Sequence, residues 1–176
     1  GTGRVAWCSN GTAEGTVKLS NAIPTHNQTF TEFNGFVYYG AGLGKELWRS
    51  DGTPAGTSLV KTFSHTGDYE NAMFLAIFQN QLYIGVYNGL YKSDGTEAGT
   101  VQAVTFESAN PFPLCLTVFN NTLFFIASPN YRACLMRTDG SQSGTIILKD
   151  FAQGPYSSQY SSWTRLNSTT DHLYVT

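Results

Sequence analysis

Four short stretches combine an Asp or Asn with glycines and hydroxyl residues, and they hold the side chains whose type and spacing first suggest chemistry. The stretches cover residues 10–16, 51–57, 94–100 and 139–145, and they begin with Asn10, Asp51, Asp94 and Asp139. Asp-x-Gly loops occur in calcium sites, but calcium takes about six to eight oxygen ligands with several carboxylates close together. Each later stretch offers one carboxylate at its first position, and the first stretch offers none there. The pattern therefore favours a structural turn, and we predict no metal site.

The same residues have clear roles in a tight turn. An Asp or Asn that begins a turn can hydrogen-bond the backbone two residues on, and the following Gly tolerates positive φ. A second Gly, at positions 15, 56, 99 and 144, is expected to close the turn or to form a bulge. The Thr that follows it then begins a strand.

Catalytic groupings are not evident in the sequence. The three histidines, His26, His65 and His172, fall in different repeats, and no nucleophile elbow or zinc motif is present. A sialidase-like site needs an arginine cluster, whereas Arg165 and Glu32 are the only Arg and the only carboxylate expected on strands that line a central axis. We predict a non-enzymatic protein without a cofactor.

The low charge of the chain excludes several classes of partner. The net charge is −2 and 12% of residues are charged, so no basic surface for nucleic acid is expected. No apolar stretch approaches the roughly 18–20 residues that span a bilayer, which predicts no membrane insertion. Arg49, Lys92 and Arg137 recur at one position of the repeat, and we expect them to form a solvated strip.

Three cysteines, Cys8, Cys115 and Cys134, have no metal-ligand spacing, and their odd number leaves at least one outside any bridge within the chain. We interpret them as small buried hydrophobic residues. One strand is expected between Cys115 and Cys134, which places them about 9–10 Å apart. A disulfide needs Cα atoms within about 7 Å, so a bridge would require a bent loop.

The spacing of the turns predicts the architecture. Their first residues are 41, 43 and 45 positions apart, and a period of roughly 40–50 residues is typical of propellers and solenoids. Each complete repeat holds four predicted strands joined by short links, which makes neighbouring strands antiparallel. The predicted strands are 29–33, 36–40, 46–50 and 58–63, then 75–78, 82–86, 90–93 and 101–106, and finally 116–119, 123–127, 135–138 and 146–151.

The two ends of the chain complement each other. Residues 5–9 and 17–21 form a third and a fourth strand, and residues 163–166 and 172–176 form a first and a second. We therefore predict an all-β protein, a single β-propeller domain over 1–176 whose four blades include a composite blade closed by both termini. Such closure would hide both open edges. The alternative is a slice of a larger propeller.

The stretch Glu46–Thr57 resembles the ELWxxDGT repeat, and the later copies match it with Tyr91 and Met136 in place of Trp. The resemblance covers nearly the whole chain, although the first copy has Ala6-Trp7 and Asn10 where Leu-Trp and Asp are expected. It implies tandem β-propeller-type repeats of large secreted or surface proteins of bacteria, and it implies no catalytic residue. The turn also resembles the Asp-box, a structural hairpin of sialidases and other propellers.

Function is expected on the variable loops opposite the repeated turns, because binding residues often lie on loops over a rigid scaffold. These loops are rich in aromatic residues, which predicts contact with a protein or a glycan; the candidates are Tyr69, Phe112, Tyr131, Tyr156, Tyr160 and Trp163. Four sequons are candidate N-glycosylation sites in a eukaryotic secreted protein, at Asn10, Asn27, Asn120 and Asn167. We predict an extracellular or cell-surface propeller for adhesion, or a building block of a surface assembly that binds itself or other domains. The alternative is a carbohydrate-binding module of a larger secreted protein.

Overall fold

The computed structural model describes residues 4–25, 30–64, 73–106, 111–129, 133–151 and 165–175. These residues form sixteen β-strands and no helix, so the protein is all-β over the described ranges. The strands make three complete antiparallel sheets of four strands and two antiparallel pairs. Within each complete sheet the spatial order of the strands is their order in the chain, as expected for a meander with short connections.

The strands follow the repeat. The N-terminal pair is β1 (Trp7–Cys8) and β2 (Val17–Lys18). The first full sheet is β3 (Thr31–Phe33), β4 (Phe36–Ala41), β5 (Glu46–Ser50) and β6 (Ser58–Thr62). The second full sheet is β7 (Phe74–Phe78), β8 (Gln81–Val86), β9 (Gly89–Ser93) and β10 (Val101–Val104). The third full sheet is β11 (Leu114–Phe119), β12 (Thr122–Ala127), β13 (Cys134–Thr138) and β14 (Ile146–Asp150). The C-terminal pair is β15 (Leu166–Ser168) and β16 (Leu173–Val175).

Two-residue turns join the first and second strands of each full sheet. Asn34 and Gly35 both have positive φ, 50° and 77°, which is the backbone of a type I′ turn that matches the twist of a hairpin. The equivalent turns use Gln79 with Asn80, and Asn120 with Asn121, all at positive φ and without glycine. The Asn-Gly signal therefore predicts one of three equivalent turns. The other two have Asn80 and Asn121 at the second position, and Asn is enriched among the non-glycine residues that adopt positive φ.

Neighbouring sheets in the chain pack face to face and build the core between them. Phe33, Leu47 and Val60 of the first full sheet meet Leu75 and Ile84 of the second. Corresponding clusters join the second full sheet to the third, and each terminal pair to its neighbouring full sheet. The second strand of each sheet is therefore buried on both faces in its central part.

Two glycines in these second strands allow close approach of the next repeat. A Cβ at Gly40 would overlap the side chain of Met73, and a Cβ at Gly85 would overlap the carbonyl oxygen of Pro113. The third full sheet has Ile126 at this position, and its side chain packs in the cluster that contains Leu166. The position thus carries a contact between successive repeats, and its residue sets how close the two backbones lie.

The composite blade predicted from the two termini is not seen over the described ranges. In the described part of the chain, β1 and β2 form one sheet, β15 and β16 form another, and the sheets are open rather than closed into a ring. The repeat count predicts how many strands each end supplies, but it does not set the curvature along the array. That curvature depends on how each sheet packs on the next, which the turn motif does not encode.

Candidate functional site

The repeated turns contain a closed network of hydrogen bonds. In the second repeat, Asp51 Oδ1 accepts from the backbone N–H and the hydroxyl of Thr53 at 2.9 and 2.7 Å. The Thr53 hydroxyl accepts from the N–H of Gly56 at 2.9 Å, and the Thr57 hydroxyl donates to the Thr53 carbonyl at 2.6 Å. These are the bonds of an Asx-turn with its downstream strand fastened to it.

The same network recurs in the other three repeats. Asn10, Asp94 and Asp139 accept in the same way from Thr12, Thr96 and Ser141. The amide oxygen of Asn10 thus replaces a carboxylate oxygen without loss of a bond. The first Gly of each turn has φ between 91° and 98°, a region that favours glycine.

A hydroxyl pair closes the base of each hairpin. Ser50 Oγ and Thr57 Oγ1 share a hydrogen bond of 2.7 Å, and Ser50 Oγ also accepts from the N–H of Gly52. The Ser9, Ser93 and Thr138 hydroxyls make the equivalent bonds. The sequence carried a signal for this pair, since a Ser or Thr stands directly before every Asx residue.

The second Gly of each turn makes room for the Asx side chain. A Cβ at Gly56 would overlap the carboxyl group of Asp51, and the other three repeats are alike at Gly15, Gly99 and Gly144. The sequence predicts that this Gly closes the turn or forms a bulge. Its observed role is steric, because the Asx side chain folds back across it.

The turn geometry perturbs the three carboxylates. Hydrogen bonds from the Thr53 hydroxyl and then from its backbone N–H lower the pKa of Asp51. Thr96 and Ser141 lower the pKa of Asp94 and Asp139 for the same reason. In each of the three carboxylates, Oδ1 accepts two hydrogen bonds inside its own hairpin. Over the described ranges, no three His, Cys, Asp or Glu side chains come together in a way that could hold a metal ion.

The turns also contact the preceding sheet. Arg49 donates to the Gly95 carbonyl at 3.2 Å, and its guanidinium lies 4.7 Å from the centre of the Phe36 ring. Gln142 exchanges two bonds with the backbone of Thr105, at 2.7 and 3.0 Å. The expected solvated strip is therefore wrong for Arg49, which is half-buried because it reaches the neighbouring turn, while Arg137 is exposed.

Most of the predicted loop-face residues lie outside the described residues, namely Tyr69, Tyr131, Tyr156, Tyr160 and Trp163. Phe112 is described: its ring is half-buried and lies 5.9 Å from the ring of Tyr87, and its N–H donates to the Tyr87 carbonyl at 3.3 Å. Nearby, Asn88 Nδ2 donates to the Ser64 carbonyl at 3.0 Å. Asn88 Oδ1 is buried and has no hydrogen-bond partner. Phe112 therefore packs on its own loop framework.

The candidate glycosylation sites have different surroundings. Asn10 is exposed, but its side-chain oxygen belongs to the turn network. Asn120 is exposed in the β11–β12 turn at φ 46°. Asn167 is exposed in β15 opposite Tyr174, and Asn27 lies outside the described residues.

All three cysteines are thiols. Cys134 is buried in the core between the second and third full sheets. Cys115 lies in β11, one strand away from β13, and burial raises the pKa of its thiol. The strand expected between Cys115 and Cys134 is therefore present as β12. No helix in the described ranges is long and apolar enough to cross a membrane.

No protein-family model and no curated protein matches this chain. Among solved structures it is similar to two computationally designed proteins, both at 15% identity. The match to Ika4 covers 85% of this chain and 86% of Ika4 at a TM-score of 0.48. The match to Ika8 covers 91% of this chain at a TM-score of 0.52, and the chain spans only 46% of Ika8. The similarity to Ika8 concerns the fold alone.

Proposed function

We propose that this chain is a non-enzymatic, extracellular scaffold of propeller type that serves adhesion or acts as a structural building block of a surface assembly. The observation that supports the proposal most is the turn network. The side chains best suited to chemistry are three carboxylates, and one oxygen of each accepts hydrogen bonds within its own hairpin, in Asp51, Asp94 and Asp139. Their repeated role is to hold sheets in a fixed form.

The predicted propeller closure is part of this proposal. The three full sheets are consistent with propeller blades, since each is a four-stranded antiparallel meander packed face to face on the next. In the repeat alignment, the N-terminal pair corresponds to the third and fourth strands of a full sheet. The C-terminal pair corresponds to the first and second strands. Two closures remain, a four-bladed ring closed by both termini and a slice of a larger propeller. They differ only in the strand that pairs with the free edge of β16.

The extracellular setting is supported by the sequence rather than by a contact. The resemblance of Glu46–Thr57 to the ELWxxDGT repeat implies secreted or surface proteins. Asn120 and Asn167 are exposed sequon residues outside the turn network. Treatment with a glycan-releasing amidase followed by mass spectrometry tests this part for the chain made in a eukaryotic secretory system, and an unchanged mass would remove the glycan argument.

Two measurements on the purified chain test the function. We expect sedimentation across a concentration series to show self-association, and a glycan array to show no saturable ligand. A saturable sugar that is lost in Phe112→Ala but kept in the exposed-turn variant Ser143→Ala would instead support the carbohydrate-binding alternative. A chain that shows neither self-association nor glycan binding would contradict the proposal.

A further inference from the structure

We propose that β16 pairs with β1 of a second copy of this chain and that Tyr174 packs onto the Gly52 turn of that copy. The inference rests on the proposed building-block function and names the contact that joins the blocks. Two independent patterns in the full sheets lead to it, the register between second and third strands and the position of one tyrosine.

The first pattern is the register. In the second full sheet, Leu82 faces Ser93, Tyr83 faces Lys92 and Ile84 faces Tyr91. The other full sheets repeat this alignment: the Ser or Thr that directly precedes the Asx residue faces the residue equivalent to Leu82. Since β16 and β1 carry the same pattern, the register joins Leu173 to Ser9, Tyr174 to Cys8 and Val175 to Trp7.

The second pattern is a tyrosine that covers the turn of the next sheet. A Cβ at Gly95 would overlap the hydroxyl of Tyr38, and a Cβ at Gly140 would overlap the hydroxyl of Tyr83. Both tyrosines are 1% exposed. Tyr174 holds the equivalent place in β16, one residue after Leu173.

The turn that would receive Tyr174 has space for it. At Gly52, among the residues that the structure describes beyond its two chain neighbours, the one atom within 4 Å of an added Cβ is the sulfur of Cys8, at 3.6 Å. Cys8 belongs to β1, so the strand that β16 would join already lies beside this turn. A β16 strand in the proposed register therefore brings Tyr174 to Gly52, as Tyr38 is brought to Gly95.

The surfaces that would meet are exposed and apolar. Tyr174 is 52% exposed and Trp7 is 56% exposed. In the described part of the molecule, β16 pairs only with β15 and β1 only with β2. Unpaired strand edges of this kind recruit further strands.

A second copy fits better than the same chain. Within one chain the two pairs are separate sheets. The match to Ika8 covers 91% of this chain but 46% of Ika8, so a longer chain can hold this fold as one part. Head-to-tail contacts of this type close into a ring or extend into a filament.

A disulfide test reads the register directly. Facing residues in an antiparallel pair have Cα atoms about 4.5–5.5 Å apart, within the range of a disulfide. We expect Tyr174→Cys, oxidised mildly with copper phenanthroline, to form a dimer linked from Cys8 to position 174, identified by peptide mapping. The control Val175→Cys places its thiol on the opposite face of the strand and should give at least about tenfold less of this bridge.

Footprinting of the unmodified chain tests the tyrosine without a substitution. We expect hydroxyl-radical labelling of Tyr174 to fall about fivefold with rising concentration, towards the level of Tyr38. A bridge within one chain would overturn the second-copy contact and favour closure within the monomer. If the chain self-associates but both cysteine variants form the bridge equally and Tyr174 stays fully labelled, this inference is overturned while the proposed function stands. Absence of self-association would also overturn this inference, and together with a silent glycan array it would contradict the proposed function.

Discussion

At the residue scale, each hairpin depends on one side-chain oxygen that accepts two hydrogen bonds. Sequence reasoning predicts this acceptor, because an Asx residue before a glycine has few other roles. The hydroxyl pair at the hairpin base and the steric role of the second Gly were not predicted. Both need the path of the backbone, since Ser50 and Thr57 meet only when the turn has closed.

The depressed carboxylate pKa values predict a loss of stability in acid. Hydrogen bonds hold the folded pKa of Asp51, Asp94 and Asp139 below the usual value, which is about 3.9 in an unfolded chain. Their contribution is therefore fully present above about pH 4 and is lost as the pH falls through the folded pKa. Thermal unfolding from pH 7 to pH 2 measures it.

The first repeat suggests the control for this prediction. Asn10 makes the same bonds without a titrating group, so the triple substitution of Asp51, Asp94 and Asp139 by Asn should keep the turns. We expect the melting temperature of this variant to decrease less below pH 4 than that of the wild type. Equal acid sensitivity of the two proteins would show that other groups govern the response.

The hydroxyl pair offers a second prediction with a built-in comparison. Ser93 is 0% exposed, and its hydroxyl accepts from the N–H of Gly95 and bonds the Thr100 hydroxyl. Ser93→Ala leaves buried polar groups without a partner, which costs about 1–3 kcal/mol of unfolding free energy. The matched variant is Ser9→Ala, whose equivalent bonds are exposed. Urea unfolding should show a clearly smaller loss for Ser9→Ala, and similar losses would contradict the role of burial.

At the element scale, strands were more predictable than the contacts between sheets. Alternating apolar residues and turn signals predict all the strands of the full sheets, and most of the strand ends are within one or two residues of the observed ones. Gly85 shows what such patterns omit. Its residue type matters because the Pro113 backbone of the following repeat lies against it, a contact between residues in different hairpins.

Gly85→Ala tests that contact. The added Cβ would overlap a backbone oxygen, which cannot rotate away, so the second and third full sheets must move apart. We expect a loss of about 1–3 kcal/mol, as for other overpacked sites. Ser58→Ala, at an exposed position of β6, serves as the control, and chemical denaturation compares the two variants. A wild-type midpoint for Gly85→Ala would show that the repeats are not in close contact there.

At the scale of the whole molecule, the sequence predicts the number of repeats but not whether the array of sheets closes into a ring. A small change in packing angle between neighbouring sheets accumulates along the array, so the same sheets could suit arrays of different curvature. Arg49 and Gln142 help to set that angle, because each ties a sheet to the next turn. The motif predicts the hairpin but not these cross-sheet bonds.

Solution scattering distinguishes the closures. A compact 176-residue monomer has a radius of gyration of about 16 Å, and a compact two-copy ring about 20 Å. We expect twice the chain mass and the larger radius at high concentration, with an extended monomer of more than about 16 Å on dilution. A compact monomer at every concentration would support a four-bladed ring within one chain.

The locality of the turn network bears on how such chains change over generations. Every Asx-turn bond joins residues at most seven positions apart. A gene duplication that copies one repeat therefore carries a full set of hairpin bonds with it, and a deletion removes one without harming the rest. Copy number can change while each hairpin stays intact, so the residues that must adapt to such a change are the few that contact the adjoining repeat.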